Sequence, residues 1–515
     1  MKPIQELKSK FNVVLANTRT PFQNSSPNLH VVQANTRTLF KNSSLNLQVV
    51  LANTRTPFQN SSPNLHVVLA NTRAPFQNSS PNLHVVLANT RAPFKNSSPN
   101  FHVVLANTRT PFKNSNLNKI IQQKVISKMI TSSRILRGIF KLNARCFSSL
   151  DVNTVDLRSD TVTRPTAKMR VAMKNALVGD DVYEEDPTVK KLQEACANLL
   201  GKEASLLVPT NTMANIASVL VHCNGRFNEV ILGEDSHMLM YEVSGLAQLG
   251  GIQGRSVANL PDGTLDLKAI KSRIRPMTDV HQPWTRAICL ENTQNRCGGK
   301  VLTVDYVQQV QKLAKDHDLF VHLDGARLFN AAAALKVEAK DFAQHVDSVA
   351  IAFSKGLCCP IGAVMAGTKD FIAQARRTRK ALGGGMRQAG VIAAPMLVAL
   401  EETLPKLRED HEKAYRIAEA ITAMKGNSIC SVDIKGVQSN IVMIDILERA
   451  CPLKFIDRMK QVTDKEKKSL GQSISVLMTL FYERKVRYVT HQDVSHEDVD
   501  KVITKLQYVI EELAS

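Results

Sequence analysis

From about residue 151 onward, short continuous apolar runs alternate with longer stretches whose apolar residues recur every three or four positions. That is the pattern of buried strands separated by helices. V-I-L-G at Val230, A-I-C-L-E-N at Ala287, F-V-H-L-D at Phe320 and V-A-I-A-F at Val349 have the length and content of strands buried on both faces. The predicted architecture is α/β, a parallel-type sheet covered by helices. Between Glu401 and Met424 a charged run reads as one long helix with Pro405 in its first turn. This helix divides a large domain, residues 151–402, from a small C-terminal α+β domain, residues 403–515.

The first 118 residues have a different texture. A-N-T-R begins at Ala16, Ala34, Ala52, Ala70, Ala88 and Ala106, a period of 18 residues with copies that match almost letter for letter. Each copy carries V-V-L-A and one Phe as its apolar content, too little to offset the entropy of ordering it, so a disordered tandem repeat is expected. The N-S-S triplets match the glycosylation sequon, but no secretory h-region precedes them and they read as accidental. Residues 119–150 are basic, Ser-containing and free of acid. Arg134, Arg137, Lys141 and Arg145 alternate with Ile135, Ile139 and Leu142 at helical spacing, which resembles a mitochondrial transit peptide. R-C-F-S then resembles a matrix-peptidase site cut after Phe147. Matrix import is expected, with a cytoplasmic location if the segment is no import signal.

Charge changes the picture only through its location. The net +20 would suggest a nucleic-acid partner, yet 19 basic residues and the single acid Glu6 lie in residues 1–150, which leaves the remainder close to neutral. No nucleic-acid groove is expected. No apolar run approaches the ~20 residues of a membrane span. Nine cysteines without a C-x-x-C pair fit neither a disulfide framework nor a metal site, so reduced thiols and no metal are expected.

Two predicted strand ends carry chemistry: V-H-L-D-G-A-R-L, with Asp324, and A-F-S-K-G-L, with Lys355, 31 residues later. Open parallel sheets present ligands beyond the carboxyl ends of their strands, so the two would face one pocket. A lysine to hold an aldehyde cofactor covalently and a carboxylate to keep its pyridine nitrogen protonated are what pyridoxal 5'-phosphate chemistry requires. P-T-N-T-M-A-N at Pro209 ends an apolar strand and opens a helix, where free backbone amides attract a phosphate.

Over Val155 to about Lys505 the chain resembles the low-specificity L-threonine aldolase family. The resemblance is carried by D-L-R-S-D-T-V-T-R-P at Asp156, G-D-D-V-Y at Gly179, D-P-T-V at Asp186, G-K-E-A at Gly201, D-G-A-R at Asp324, S-K-G-L at Ser354, G-G-G-M-R-Q at Gly383 and V-R-Y-V-T-H at Val486. It implies the aspartate-aminotransferase-like fold (fold type I) and cleavage of threonine or allo-threonine to glycine and acetaldehyde. It implies Lys355 as the cofactor-binding lysine, Asp324 as partner of the pyridine nitrogen and His237 against the ring. Asn211, Thr212 and Met213 would cradle the phosphate, with Asn211 standing where the family has Gly. Lys380 and Arg387 would reach a neighbouring subunit's phosphate, so a dimer or dimer of dimers with shared sites is implied. Ser159, Arg327 and Arg487 would hold the substrate carboxylate. One position departs: the family's E-N-T-H reads E-N-T-Q here, so Gln294 replaces a histidine near the substrate hydroxyl, and glutamine is no base near neutral pH.

Overall fold

The structure, a computed structural model, describes residues 152–515 together with short strands in the repeats between residues 11 and 114. The segment read as a transit peptide lies outside the described residues. In the repeats the strands form two rows of parallel pairs. Phe11–Ala16 through Asn100–Ala106 make one six-stranded sheet and Phe22–Asn24 through Phe112–Asn114 the other. Each residue faces its equivalent 18 positions on, as Val31 faces Val49 and Phe94 faces Phe112. Disorder was expected from the content of one copy.

The large sheet has seven strands: β1 (Ala204–Val208), β2 (Asn228–Gly233), β3 (Gln253–Val257), β4 (Trp284–Glu291), β5 (Phe320–Asp324), β6 (Ser348–Ala352) and β7 (Ala363–Gly367). Their spatial order is β1-β7-β6-β5-β4-β2-β3. All pairs are parallel except those of β7, which runs against β1 and β6. β2, β6 and the inner residues of β5 are buried throughout, the continuous burial that their unbroken apolar runs foretell.

Several motifs turn out to terminate helices. Asp186 of D-P-T-V caps the helix Pro187–Leu200, its carboxylate accepting from the amides of Thr188 and Val189, with Pro187 at the first position. Gly201 of G-K-E-A closes the same helix at φ 58°, the left-handed position glycine adopts without strain. Thr210 caps the helix Asn211–His222 by accepting from the amide of Met213.

The second core gathers Ile417, Ile444, Tyr488 and Leu506 around a four-stranded antiparallel sheet whose long strands are Ile441–Ile446 and Lys485–Val489. Val155 and Leu157 belong to this core, because Asn153–Asp156 pairs in parallel with Ile474–Leu477. The start of the presumed large domain thus packs with the small one. The boundary expected at residue 402 falls inside a nearly continuous helical run. It passes from Gly390 through a π-helical turn, Ala399–Thr403, and a 3-10 turn holding Pro405 to the helix Leu407–Ala423. Leu407 still packs in the first core and Ala414 in the second.

Candidate active site

The carboxyl ends of β2, β4, β5 and β6 lead to His237, Glu291, Asp324 and Lys355 respectively. Asp324 is 1% exposed and its carboxylate is held by three donors. Oδ1 accepts from Asn211 Nδ2 at 2.8 Å and from the Ala326 amide at 3.0 Å, while Oδ2 accepts from Asn215 Nδ2 at 2.8 Å. A carboxylate offers about four acceptor positions, so one stays open for an N–H donor in the pocket. Asn211 and Asn215 are one helical turn apart and meet the same carboxylate, a spacing visible in T-N-T-M-A-N but not read from it.

Lys355 follows β6 and is half-buried; its own carbonyl accepts from Thr163 Oγ1 at 2.9 Å. Burial and the nearby Arg327 charge push its amine below the ordinary lysine value, against the pull of Asp324, Asp160 and Glu291. That shift enlarges the fraction of neutral, nucleophilic amine. His237 opens the short helix His237–Met240, and its Nδ1 bonds Glu242 Oε1 at 2.9 Å. Burial alone would lower the imidazole; the bond to Glu242 and the Asp324 charge outweigh it and raise His237. Asn215 Nδ2 also donates to Glu242 Oε1 at 2.9 Å, so Glu242 and Asp324 share one donor group. Glu242 Oε2 is buried without a partner, and burial with the Asp324 charge raises this carboxyl.

Behind Asp324 runs a buried polar line. His322 Nε2 meets Asn215 Oδ1 at 3.1 Å, His322 Nδ1 meets Ser348 Oγ at 2.8 Å, and His222 Nε2 meets the same oxygen at 2.7 Å. Burial pushes His322 down to about 4 and His222 down to about 3, so both are neutral and the line is fixed in one direction.

The arginines divide. Arg327 makes a two-pronged bond to Asp160, Nε to Oδ2 at 2.7 Å and Nη2 to Oδ1 at 2.6 Å. This pair takes up Nε and one hydrogen of Nη2, so the Nη1 side of the guanidinium still has N–H donors for a substrate carboxylate. Asp160 is fully buried, and Arg327 holds it well below the usual carboxylate range despite its burial. Ser159 serves as the cap of the turn Asp160–Val162, its Oγ accepting from the Thr161 amide at 3.3 Å. Arg487 is different. It is 8% exposed and bonds only neutral oxygens, Asn295 Oδ1 at 2.7 Å and the Arg158 carbonyl at 3.0 Å, with Nε buried and unpartnered. Burial and the Arg327 charge lower it to about 10. A buried cation without an anion is costly, and an incoming carboxylate would compensate it.

At the helix start, the Met213 amide is taken by Thr210 Oγ1 at 3.2 Å, which leaves the Asn211 and Thr212 amides as the anion-facing donors of the three expected. Asn211 keeps a negative φ, being absent from the left-handed residues, and its side chain serves Asp324 instead of a cradle. Asn211 Oδ1 remains buried and unpaired. Lys380 and Arg387 are exposed on the single chain, Arg387 paired with Asp180 at 3.1 Å.

Gln294 is hydrogen-bonded at both ends of its carboxamide. It is 1% exposed, Nε2 donates to the Asp235 carbonyl at 2.9 Å, and Oε1 accepts from the Cys297 amide at 2.7 Å. Oε1 thus braces the turn 294–300 and Nε2 ties that turn to the loop holding Asp235, with one N–H and one lone pair left over. Asp160, Asn215, Glu242, Glu291 and Asn295 carry no sequence signal of their own, being common polar residues, and the partners of Asp160 and Asn215 lie 167 and 109 positions away. Cys358 and Cys359 are buried, burial pushes the Cys358 thiol up to about 12, and the cysteines among the described residues are free.

Known proteins similar to this chain indicate its family. The family "Beta-eliminating lyase" matches residues 156–447. A probable low-specificity L-threonine aldolase of Arabidopsis thaliana is 46% identical over 354 residues, which is 68% of this chain and 96% of that protein. The low specificity L-threonine aldolase of Escherichia coli K12 is 39% identical over 349 residues, 68% of this chain and 97% of the relative. A putative L-allo-threonine aldolase structure from Listeria monocytogenes shares the fold at a TM-score of 0.56 and 21% identity, covering 66% of this chain and 92% of that one. With relatives matched over nearly their whole length on the segment that builds the crevice, the chain belongs to the low-specificity L-threonine aldolases of the β-eliminating lyase family.

Proposed function

We propose that this chain is a pyridoxal 5'-phosphate-dependent aldehyde-lyase that cleaves L-threonine and L-allo-threonine to glycine and acetaldehyde. The observation that carries the reading is Asp324, held by three donors with one acceptor position open, beside the amine of Lys355 with its lowered pKa. Lys355 would hold the cofactor aldehyde covalently, Asp324 its pyridine N–H and the Asn211 and Thr212 amides its phosphate. The unpaired Asn211 Oδ1 and Glu242 Oε2 are consistent with a polar group missing from the crevice. The bound cofactor supplies an electron sink that stabilises negative charge at the substrate α-carbon.

The chain's own groups do the rest. Arg487 binds the substrate carboxylate and Asn295 orients its guanidinium. Glu242 fixes Nδ1 of His237, so Nε2 faces the pocket as the group that takes the β-hydroxyl proton, directly or through water. Purified full-length protein given threonine, allo-threonine and serine should release glycine and acetaldehyde from the first two. Failure on both β-hydroxy substrates with cofactor bound would defeat the reading.

A homo-oligomer with shared sites is favoured by the exposed Leu177, Val178, Val182 and Tyr183, close in sequence to the Asp180 that pairs with Arg387. Import into the mitochondrial matrix with cleavage after Phe147 is favoured by the acid-free segment 119–150. N-terminal sequencing of native protein should find a start near Ser148; a cytosolic species with intact repeats would refute it.

A further inference from the structure

Glu291 ends β4, stands in register with Asp324 on β5 and is 8% exposed. The chemistry above does not use it. Its two oxygens accept from backbone amides of two separate loops, Oε2 from His237 at 2.7 Å and Oε1 from Asn295 at 2.9 Å. The first loop carries the imidazole that Glu242 orients. The second carries the Asn295 side chain that takes Nη1 of Arg487 at 2.7 Å. One carboxylate therefore ties the cofactor side of the crevice to the group that binds the substrate carboxylate.

We propose that Glu291 is a positioning residue that sets the spacing between His237 and Arg487, and with it the fit of an α-amino acid between them. This rests on the reading of Arg487 as the carboxylate site. The residue type supports it. Two converging N–H donors need two acceptor oxygens, which glutamine cannot offer without turning its NH2 group against one of them. The site is also a poor place for a carboxylate that only packs. Burial and the Asp324 charge raise Glu291 to about 7, although the two amides and the His237 charge pull it down. A carboxyl kept beside another carboxylate, where an apolar side chain would pack without repulsion, is the mark of a site residue.

The test compares full-length wild-type protein with Glu291→Gln and Glu291→Asp. Glu291→Gln should lose one loop tie. KM for threonine should then rise about tenfold to a hundredfold, the range for a hydrogen bond to a charged group, with kcat falling less. The visible circular dichroism of bound cofactor should change while the melting temperature of cofactor-free protein moves little. Glu291→Asp, which keeps two acceptor oxygens on a side chain one methylene shorter, should fall between wild type and Glu291→Gln. A purely structural Glu291 predicts the reverse: a lower melting temperature with unchanged KM, kcat and dichroism per folded molecule, and that result overturns the proposal. If the variants do not fold, amide hydrogen exchange on wild-type protein decides instead. The His237 and Asn295 amides should be protected together, and either one exchanging as an open loop would refute the tie. Dichroism and exchange need no turnover, so failure of the threonine reading would show separately as an inactive wild type.

Discussion

Gln294 stands where the resemblance places a histidine, and its hydrogen bonds set what a substitution there would do. Glutamine cannot be the base, and the structure engages Oε1 of its carboxamide with the Cys297 amide of its own turn and Nε2 with the distant Asp235 carbonyl. Gln294→His should therefore not raise kcat. Imidazole cannot reproduce both bonds, so the variant should lose roughly 1–3 kcal/mol of stability, read as a lower melting temperature, with kcat unchanged or reduced. His237→Ala, by contrast, should lower kcat ~10²–10⁴-fold, the range for loss of a general base. A rise in kcat on Gln294→His would place the side chain in the reaction after all. Arg487→Lys should raise KM about tenfold or more with smaller loss of kcat, because an ammonium cannot match the planar fork. Of the residues named from the sequence, Lys355, Asp324, His237 and Arg487 converge on the crevice. Arg327 is oriented by Asp160, a partner 167 positions away that no local pattern announces.

At the scale of elements, the line from His222 through Ser348 and His322 to Asn215 joins the helix Asn211–His222 to β5 and β6. Both imidazoles titrate below the ordinary value of 6.5 in the folded state, so between about 4 and 6.5 the unfolded chain binds protons that the folded chain refuses. Their contribution is complete above pH 6.5 and is lost as the pH falls toward 4. Glu291, raised to about 7, acts in the opposite direction over part of that range. The clean measurement is thus a difference: the drop in melting temperature from pH 7 to pH 5 should shrink in His222→Phe, whose ring can replace the stacking of His222 between Phe320 and Phe371. An unchanged drop would show that His222 is not held neutral. Gly325, between Asp324 and Arg327, is a second test at this scale. A Cβ there would lie 2.8 Å from the Ala350 carbonyl and 3.0 Å from Leu328 Cβ. Gly325→Ala should push the end of β5 from β6, costing ~1–3 kcal/mol and weakening cofactor retention on dialysis.

For the whole molecule, the sharpest expectation concerns where the catalytic part begins. Asn153–Asp156 pairs with Ile474–Leu477, and Leu157 is fully buried in the second core. A chain starting at Asp151 should keep the activity and melting temperature of the full chain. One starting at Arg158 should be markedly less stable, since it loses a parallel strand and two core side chains. Equal stability of the two would contradict the pairing. The strands β2, β4, β5 and β6, the charged helix read over Glu401–Met424 and the lysine–aspartate pair were legible in the sequence, because burial on both faces and helical spacing leave local, periodic marks. The motifs carried the family, although D-P-T-V and G-K-E-A prove to be a helix cap and a helix stop. What the tertiary structure alone decided is which polar groups meet: Asp160 with Arg327, Asn215 with both Asp324 and Glu242, Glu291 with two loops, and the first strand with the last domain. Hydrogen bonds between groups tens to hundreds of residues apart depend on the path of the chain in space, and a single sequence carries no periodic signal of that path.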